Sequence, residues 1–336
     1  MIIRARAPLR ISFGGGGTDV SPYPEEHGGC VLSCTIDKYS YASLMTQDSN
    51  SINIRSLDYD VFTSYNPGEP LNYDGKLDLV KEALSKMGIT QGMDIFLHSD
   101  IPPGSGLGAS STMAVVLVGL FKHWKRLPMT DYDIAELAYC IEREEVGIKG
   151  GRQDQYAATF GGFNFIEFFH DATVVNPLRI KQAVLNELQY RLMLCYTGKH
   201  RLSVGIIDDQ VKSYMQGKEE VIRALDETKN LAIEMKNALL LNKIDELGLL
   251  LHQGWLAKKK FSSQVTDPQI DQLYEVAREN GALGGKLLGA GGGGYFLFLC
   301  QFDKWHKVAQ EAEKCGGKVV KFAFDFHGLQ TWEVNG

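Results

Sequence analysis

Pro103-Gly104-Ser105-Gly106-Leu107-Gly108-Ala109-Ser110-Ser111-Thr112 is the stretch on which the reading of this chain turns. Glycines alternate at 104, 106 and 108, and small residues then lead into the apolar run Met113 to Phe121. Glycine permits positive φ and lets a backbone approach a ligand with no Cβ in the way. The apolar run predicts a buried helix. Its first N–H groups lack partners within the helix and lie at the positive end of its dipole. A glycine loop opening into such a helix is a phosphate cradle. The plain alternative is a tight turn before a core helix.

The two commonest nucleotide loops do not fit. A Walker loop requires Gly, four residues, then Gly-Lys-Ser/Thr. Around Gly285-Lys286, Asn280 stands where the first glycine should be and Leu287 where the hydroxyl residue should be. The spacing G-x-G-x-x-G fails because Gly108 comes one residue early. H-R-D and D-F-G, which mark protein kinases, are missing from the sequence.

Composition narrows the classes. The chain has 336 residues, enough for a large core and ordinarily two domains. A hydrophobic content of 44% and a charged content of 23% are those of a soluble globular protein. A formal net charge of −6 argues against a general nucleic-acid binder. Met1 to Arg6 alternates like a strand and lacks the apolar segment of a signal peptide. Met113 to Phe121 is too short to cross a bilayer. A cytoplasmic protein with no nucleic-acid or membrane partner is expected. Cysteines at 30, 34, 140, 195, 300 and 315 form no C-x-x-C pair, which suits reduced core thiols better than a zinc site.

Periodicity gives the organisation. Ile2 to Ile11, Tyr39 to Met45, Asp94 to Ser99 and Phe163 to Phe169 read as strands. Lys76 to Met87 reads as a helix closed by Gly88. Thr130 to Val146 reads as another, with Thr130 as cap and Ile134, Leu137, Ala138 and Ile141 as its buried stripe. Asp171 to Gln182 is the expected boundary. Beyond it come a strand from Tyr190 to Cys195 and two long helices. One carries Val221, Ile222, Leu225, Leu231 and Met235; the other carries Ile244, Leu247, Leu250, Leu251 and Trp255. Asp267-Pro268 opens a further helix that ends at Asn280-Gly281. A strand from Tyr295 to Cys300, a helix from Trp305 to Lys314 and a strand from Lys318 to Phe326 close the pattern.

Two more glycine-rich segments accompany the loop. Ala7-Pro8-Leu9-Arg10-Ile11-Ser12-Phe13-Gly14-Gly15-Gly16-Gly17-Thr18-Asp19 precedes it, and Lys286-Leu287-Leu288-Gly289-Ala290-Gly291-Gly292-Gly293-Gly294-Tyr295-Phe296 follows it. In this order the three resemble the first, second and third motifs of the GHMP kinase superfamily, which phosphorylates small metabolites. The resemblance runs from about Arg4 to Phe298. Gly150-Gly151-Arg152-Gln153-Asp154-Gln155-Tyr156-Ala157-Ala158, then Phe160 to Phe168, look like the sugar-kinase branch. Tyr196-Thr197-Gly198, with a basic residue and Ser203 after it, does too. Within that branch the chain is similar to the D-glycero-D-manno-heptose 7-phosphate kinases, with the fucokinases near by.

The resemblance implies an α+β fold of two domains: an S5-like, ATP-binding domain over 1–178 and a ferredoxin-like domain over 179–336. It implies ATP and Mg²⁺, and transfer of a phosphoryl group to O1 of a heptose 7-phosphate. The product would feed nucleotide-heptose and surface-polysaccharide synthesis. L-fucose 1-phosphorylation is the rival activity, separable by turnover on each sugar. A non-catalytic sugar- or nucleotide-sensing regulator is the rival of another class, separable by ATP consumption. Oligomeric state stays open.

The same resemblance assigns residues. Asp154 is the expected catalytic carboxylate, placed to accept the proton of the reacting hydroxyl; a helix-capping role is the bland alternative. Arg10 stands beside it. Arg10, Asp19, Thr18, Gly16 and Gly17 are expected at the sugar, with Asp19 accepting two hydroxyl bonds. Gly16-Gly17 replaces the Glu-His of galactokinase-type chains, which suggests space for a longer sugar. Gly291, Gly292 and Gly293 lie over it. Pro103, Gly104, Ser105, Gly106, Leu107, Gly108, Ala109, Ser110 and Ser111 are expected at ATP. Glu142 and Ser110 suit Mg²⁺, which takes few protein oxygens beside phosphates and water; Ser111, Glu144 and Glu145 are the alternatives. A phosphate on the sugar requires a cation. Arg152, Lys199, His200 and Arg201 are candidates, unranked, and Lys258-Lys259-Lys260 is another, although a lysine triplet at a helix end is more often solvated surface.

Overall fold

Two long antiparallel strands form the spine of the first sheet in this computed structural model, which describes residues 1–47, 51–58, 60–66, 69, 72–199 and 204–334. β1 (Ile2–Gly14) and β2 (Gly29–Thr46) pair from Ile2 opposite Met45 to Gly14 opposite Leu32. α1 (Tyr23–His27) joins them. β3 (Ile52–Ser56) and β4 (Val61–Tyr65) form a hairpin, and α2 (Asp78–Lys86) follows. β5 (Met93–Ser99) pairs antiparallel with β2 and parallel with β3. α3 (Ala109–Lys125) is the expected buried helix, with Ala114 to Phe121 in the core. α4 (Asp131–Tyr139) begins with a reciprocal capping box between Thr130 and Asp133. α5 (Gln153–Phe160), β6 (Phe163–Phe168) and β7 (Thr173–Pro177) complete this half.

The second half begins with α6 (Gln182–Arg191), β8 (Leu192–Tyr196) and α7 (Val204–Met215). α8 (Glu219–Leu240), α9 (Ile244–Lys258) and α10 (Pro268–Glu279) follow. Asp267 caps α10 by accepting from the N–H groups of Gln269 and Ile270. Then come β9 (Ala282–Leu287), β10 (Tyr295–Cys300), α11 (Trp305–Lys314) and β11 (Lys318–Val320). The second sheet is antiparallel in the order β11-β8-β10-β9. β12 (Phe324–Asp325) and β13 (Gln330–Val334) return to the first sheet, on β2 and β1.

Several sequence expectations are corrected. β2 extends well before Tyr39, because its first half, Gly29 to Ile36, is buried on both faces and shows no alternation. The helix expected from Thr130 to Val146 changes at Cys140 into a π-turn over Cys140–Glu145. The strand expected to begin at Tyr190 begins at Leu192, since Tyr190 and Arg191 finish α6. The strand expected from Lys318 to Phe326 breaks after Val320, and its far end crosses to β2. The second unit expected over 179–336 therefore does not keep all its strands: β12 and β13 belong to the first sheet.

Packing explains why the halves meet tightly. On one face of the first sheet Ala5, Leu44 and Ile95 pack with Val116 and Leu120 of α3. A second core joins Leu9, Ile11 and Phe13 of β1 to Leu231 and Met235 of α8 and to Leu194 and Leu297 of the second sheet. Burial of each such side chain contributes about 1.5–3 kcal/mol. No helix among the described residues is long and apolar enough to cross a membrane. The six cysteines are free thiols, four of them buried.

Candidate active site

The glycine loop bends as its composition requires. Gly104, Gly106 and Gly108 have φ of +78°, +86° and +81°. Close approach also demands glycine: a Cβ on Gly106 would lie 2.7 Å from the Leu288 carbonyl oxygen. Gly108 precedes α3, and no side chain caps that helix. Its opening residues, Ala109, Ser110 and Ser111, line a cleft of about 1050 Å³, mouth included. Unspent N–H groups thus face open space.

The cleft lies where the halves meet. Arg10, Gly16, Gly17, Asp19, Gly104, Gly106, Glu142, Asp154, Gly291 and Gly293 line it together with the opening of α3. Pro103, Ser105, Leu107, Thr18, Arg152 and Gly292 are not in its wall. Thr18 instead bridges the backbone, donating to Gly15 O and Cys30 O and accepting from Cys30 N–H. Arg152 pairs with Glu25 at 3.2 Å and lies over the Tyr139 ring. Lys199 pairs with Asp267. His200, Arg201 and Ser203 lie outside the described residues.

Arg10 connects the loop to the carboxylate. Its Nε and Nη2 meet the Oδ1 of Asp154 at 2.8 and 2.7 Å, and Nη1 donates to Gly106 O at 2.6 Å. Arg10 is 3% exposed, so these charge-assisted bonds operate with little water. Asp154 Oδ2 accepts no hydrogen bond from a described residue and lies beside Gly108. Asp154 is in the first turn of α5 but makes no cap contact.

α5 positions two more carboxylates through its glutamines. Gln153 donates from both its N–H and its Nε2 to Asp19 Oδ2. With Gly17 N–H on Oδ1, Asp19 accepts three bonds. About one of its roughly four lone-pair sites remains, so the expected two sugar bonds narrow to one. Gln155 Nε2 donates to Glu142 Oε2 at 2.7 Å. Glu142 is fully buried, and its Oε1 has no hydrogen bond, with Arg143 Nη1 3.4 Å away. The π-turn brings Glu142 inward beside Ile141, while Glu144 and Glu145 are exposed. Ser111 Oγ accepts from Arg143, whereas Ser110 Oγ makes no described bond. A buried carboxylate oxygen without a donor and an unbonded Ser110 hydroxyl lining the same cleft fit a hard divalent cation.

The space foreseen at Gly16-Gly17 is only partly open. A Cβ on Gly17 would lie 2.8 Å from Phe261 Cε2, so a ring fills that side. At Gly16 the nearest atom would be Gln153 Nε2 at 3.4 Å.

Sequence reasoning missed Gln153, Gln155, Arg143 and two buried lysines. Lys258 donates to Leu287 O and Gly289 O at 2.7 and 2.5 Å. Burial, then Lys286 and Arg10, push its pKa well down. Lys286 is pushed down to about 8, by burial first and by Arg10 second, with Asp19 opposing. Both line the cleft. The available signals were a lysine in the apolar strand Ala282–Leu287, and Lys258 lying three residues after Trp255 on a buried stripe.

The chain as a whole has matches among known proteins. The model of the GHMP kinases N terminal domain matches residues 77–162, and that of the GHMP kinases C terminal region matches 235–318. The chain belongs to the GHMP kinase family. It is 38% identical to the D-glycero-alpha-D-manno-heptose 7-phosphate kinase of Campylobacter jejuni, over 99% of both chains. Its structure superposes on that of a D-glycero-D-manno-heptose 1-phosphate kinase from Bacteroides thetaiotaomicron with a TM-score of 0.84 and 34% identity, covering 99% of this chain and 100% of the other. The bifunctional fucokinase/GDP-fucose pyrophosphorylase of Arabidopsis thaliana is 28% identical over 98% of this chain, but over only 32% of its own length.

Proposed function

We propose that this chain is an ATP-dependent kinase that phosphorylates O1 of D-glycero-D-manno-heptose 7-phosphate, giving the 1,7-bisphosphate. One observation carries the chemistry: the Arg10–Asp154 pair beside the uncapped opening of α3, in one cleft. Full-length similarity to the Campylobacter jejuni enzyme supports the sugar.

The residues divide the work. Backbone N–H groups of 109–111 hold phosphate oxygens of ATP. Arg10 occupies Oδ1 of Asp154 and leaves Oδ2 to accept the proton of the sugar O1 hydroxyl. O1 bonds to the γ-phosphorus, the bond from that phosphorus to the bridging oxygen breaks, and ADP leaves with the electron pair. Asp19, held by Gly17 and Gln153, accepts one sugar hydroxyl. Glu142 and Ser110 would hold Mg²⁺, which neutralises phosphate charge. Gln155 fixes the carboxylate plane of Glu142.

Comparing kcat/KM for heptose 7-phosphate, unphosphorylated heptose and L-fucose tests the reading. Heptose 7-phosphate should be preferred. Better turnover of L-fucose would reject the substrate, and no sugar-dependent ATP consumption would reject the kinase.

A further inference from the structure

We propose that Lys286 is a substrate-binding residue whose ammonium takes a phosphoryl oxygen in the cleft. The proposal rests on reading the cleft as a phosphoryl-transfer site, and it adds a contact beyond Arg10, Asp154 and Glu142.

Lys286 lies in β9 opposite Leu297 of β10, flanked by Gly285 and Leu287. It is 6% exposed, yet it lines the cleft. Among the described residues Lys286 takes part in no side-chain hydrogen bond or ion pair, while its neighbour Lys258 makes two hydrogen bonds. Lys258 behaves differently, giving protons to two carbonyls that hold the turn after β9. Lys258 is therefore a staple, whereas the donors of Lys286 are unspent.

An ammonium on a largely buried side chain with no protein acceptor depends on the cleft for its solvation, which is costly. In an apolar strand, a similar-sized Met would cost less. Its surroundings raise the cost. Arg10 on β1 carries the same charge, Lys258 on α9 is a neighbour, and burial with Arg10 pushes Lys286 down to about 8. Asp19, after β1, is the one carboxylate that favours its charge, and three donors already hold it. Asp154 on α5 is taken by Arg10, and Glu142 on the π-turn by Gln155. The protein thus leaves a cationic point for the ligand to neutralise. A sugar hydroxyl brings no charge; a phosphoryl oxygen does, through a charge-assisted hydrogen bond. It could come from the γ-phosphoryl group of ATP or from a phosphate already on the sugar.

Lys286→Met and Lys286→Arg test this. Inorganic phosphate is titrated calorimetrically without sugar, and kcat and KM are measured against pH with phosphorylated and unphosphorylated heptose. Lys286→Met should fold with a Tm no lower than wild type, bind phosphate about 10-fold or more weakly, and lose kcat/KM by a similar factor. The wild-type fall in kcat/KM above pH about 8 should vanish in Lys286→Met and move out of range in Lys286→Arg, which should retain activity. Loss confined to the phosphorylated sugar places the contact on the sugar phosphate; equal loss with both sugars places it on the transferred group. Phosphate affinity and kcat/KM within about 3-fold of wild type in folded Lys286→Met overturn the proposal. If Lys286→Met does not fold, Lys286→Gln takes its place in the same comparison. If wild type turns over neither sugar, the proposed function fails, while the phosphate titration still decides Lys286.

Discussion

Replacing Asp154 by Asn separates the proton acceptor from the scaffold around it. Arg10 Nε and Nη2 both reach Oδ1, at 2.8 and 2.7 Å, and the Asn carbonyl oxygen can keep that place. Oδ2, unbonded to described residues, becomes an amide that cannot accept a proton. Two magnitudes follow. Arg10, 3% exposed, loses its counter-charge but keeps its bonds, which costs about 1–3 kcal/mol of stability. Loss of the base costs about 10²–10⁴ in kcat, or about 2.7–5.5 kcal/mol of barrier. The rate effect should dominate in a protein that still folds. Urea denaturation reads the first, and ADP release at saturating ATP and heptose 7-phosphate reads the second. ATP affinity, by calorimetry, should stay within about 3-fold, because no nucleotide contact is removed. Turnover within about 3-fold of wild type in the folded variant would refute the assignment of Asp154 as base.

Gln155→Leu should weaken apparent Mg²⁺ affinity about 10–100-fold, with kcat partly recovered at high Mg²⁺ and sugar KM unchanged; an unaltered Mg²⁺ titration would mean Gln155 does not position a metal ligand. Arg152→Ala should leave the preference for phosphorylated sugar within about 2-fold, because its guanidinium is held by Glu25 outside the cleft wall; a KM rise of about 10-fold confined to the phosphorylated sugar would show the opposite. Gly106→Val should cost about 2 kcal/mol or more and weaken ATP and sugar together, since its Cβ would press on Leu288 and its φ is +86°; loss of ATP binding alone, with unchanged urea stability, would contradict this. Lys286, near pKa 8 folded against an ordinary 10.4, binds fewer protons folded than unfolded between those values. Wild type should therefore gain stability relative to Lys286→Met as pH rises from 8 to 10, by about 2 kcal/mol. Parallel stability curves for the two proteins would exclude it.

What the sequence revealed was local chemistry. Glycines at 104, 106 and 108 could be read because positive φ is written into the residue itself. Glu142, chosen over Glu144 and Glu145, does point inward, although the π-turn that turns it there left no mark in the periodicity. What stayed hidden depends on partners remote in the chain. The first half of β2 is covered on both faces, so its side chains carry no alternation. Arg152 looked available until Glu25, distant in sequence, was seen to hold it. Lys258 looked like part of a solvated triplet, yet its acceptors are the carbonyl ending β9 and that of Gly289 in the turn after it. Gln153 and Gln155 flank Asp154 in plain view, but only the fold shows that each grips a carboxylate from another element.

The pairing of β13 with β1 bears on the order in which the protein can be made. β1 leaves the ribosome well before its outer neighbour, residues 330–334, because both sheets' other strands lie between them in the chain. Until then the Ile2 to Arg6 edge has unpaired backbone donors and acceptors beside buried Ile3 and Ala5. Such an edge invites pairing with a neighbouring nascent chain. Translation that stalls within the second half would therefore leave a sticky first half, and chaperone dependence should concentrate in that interval.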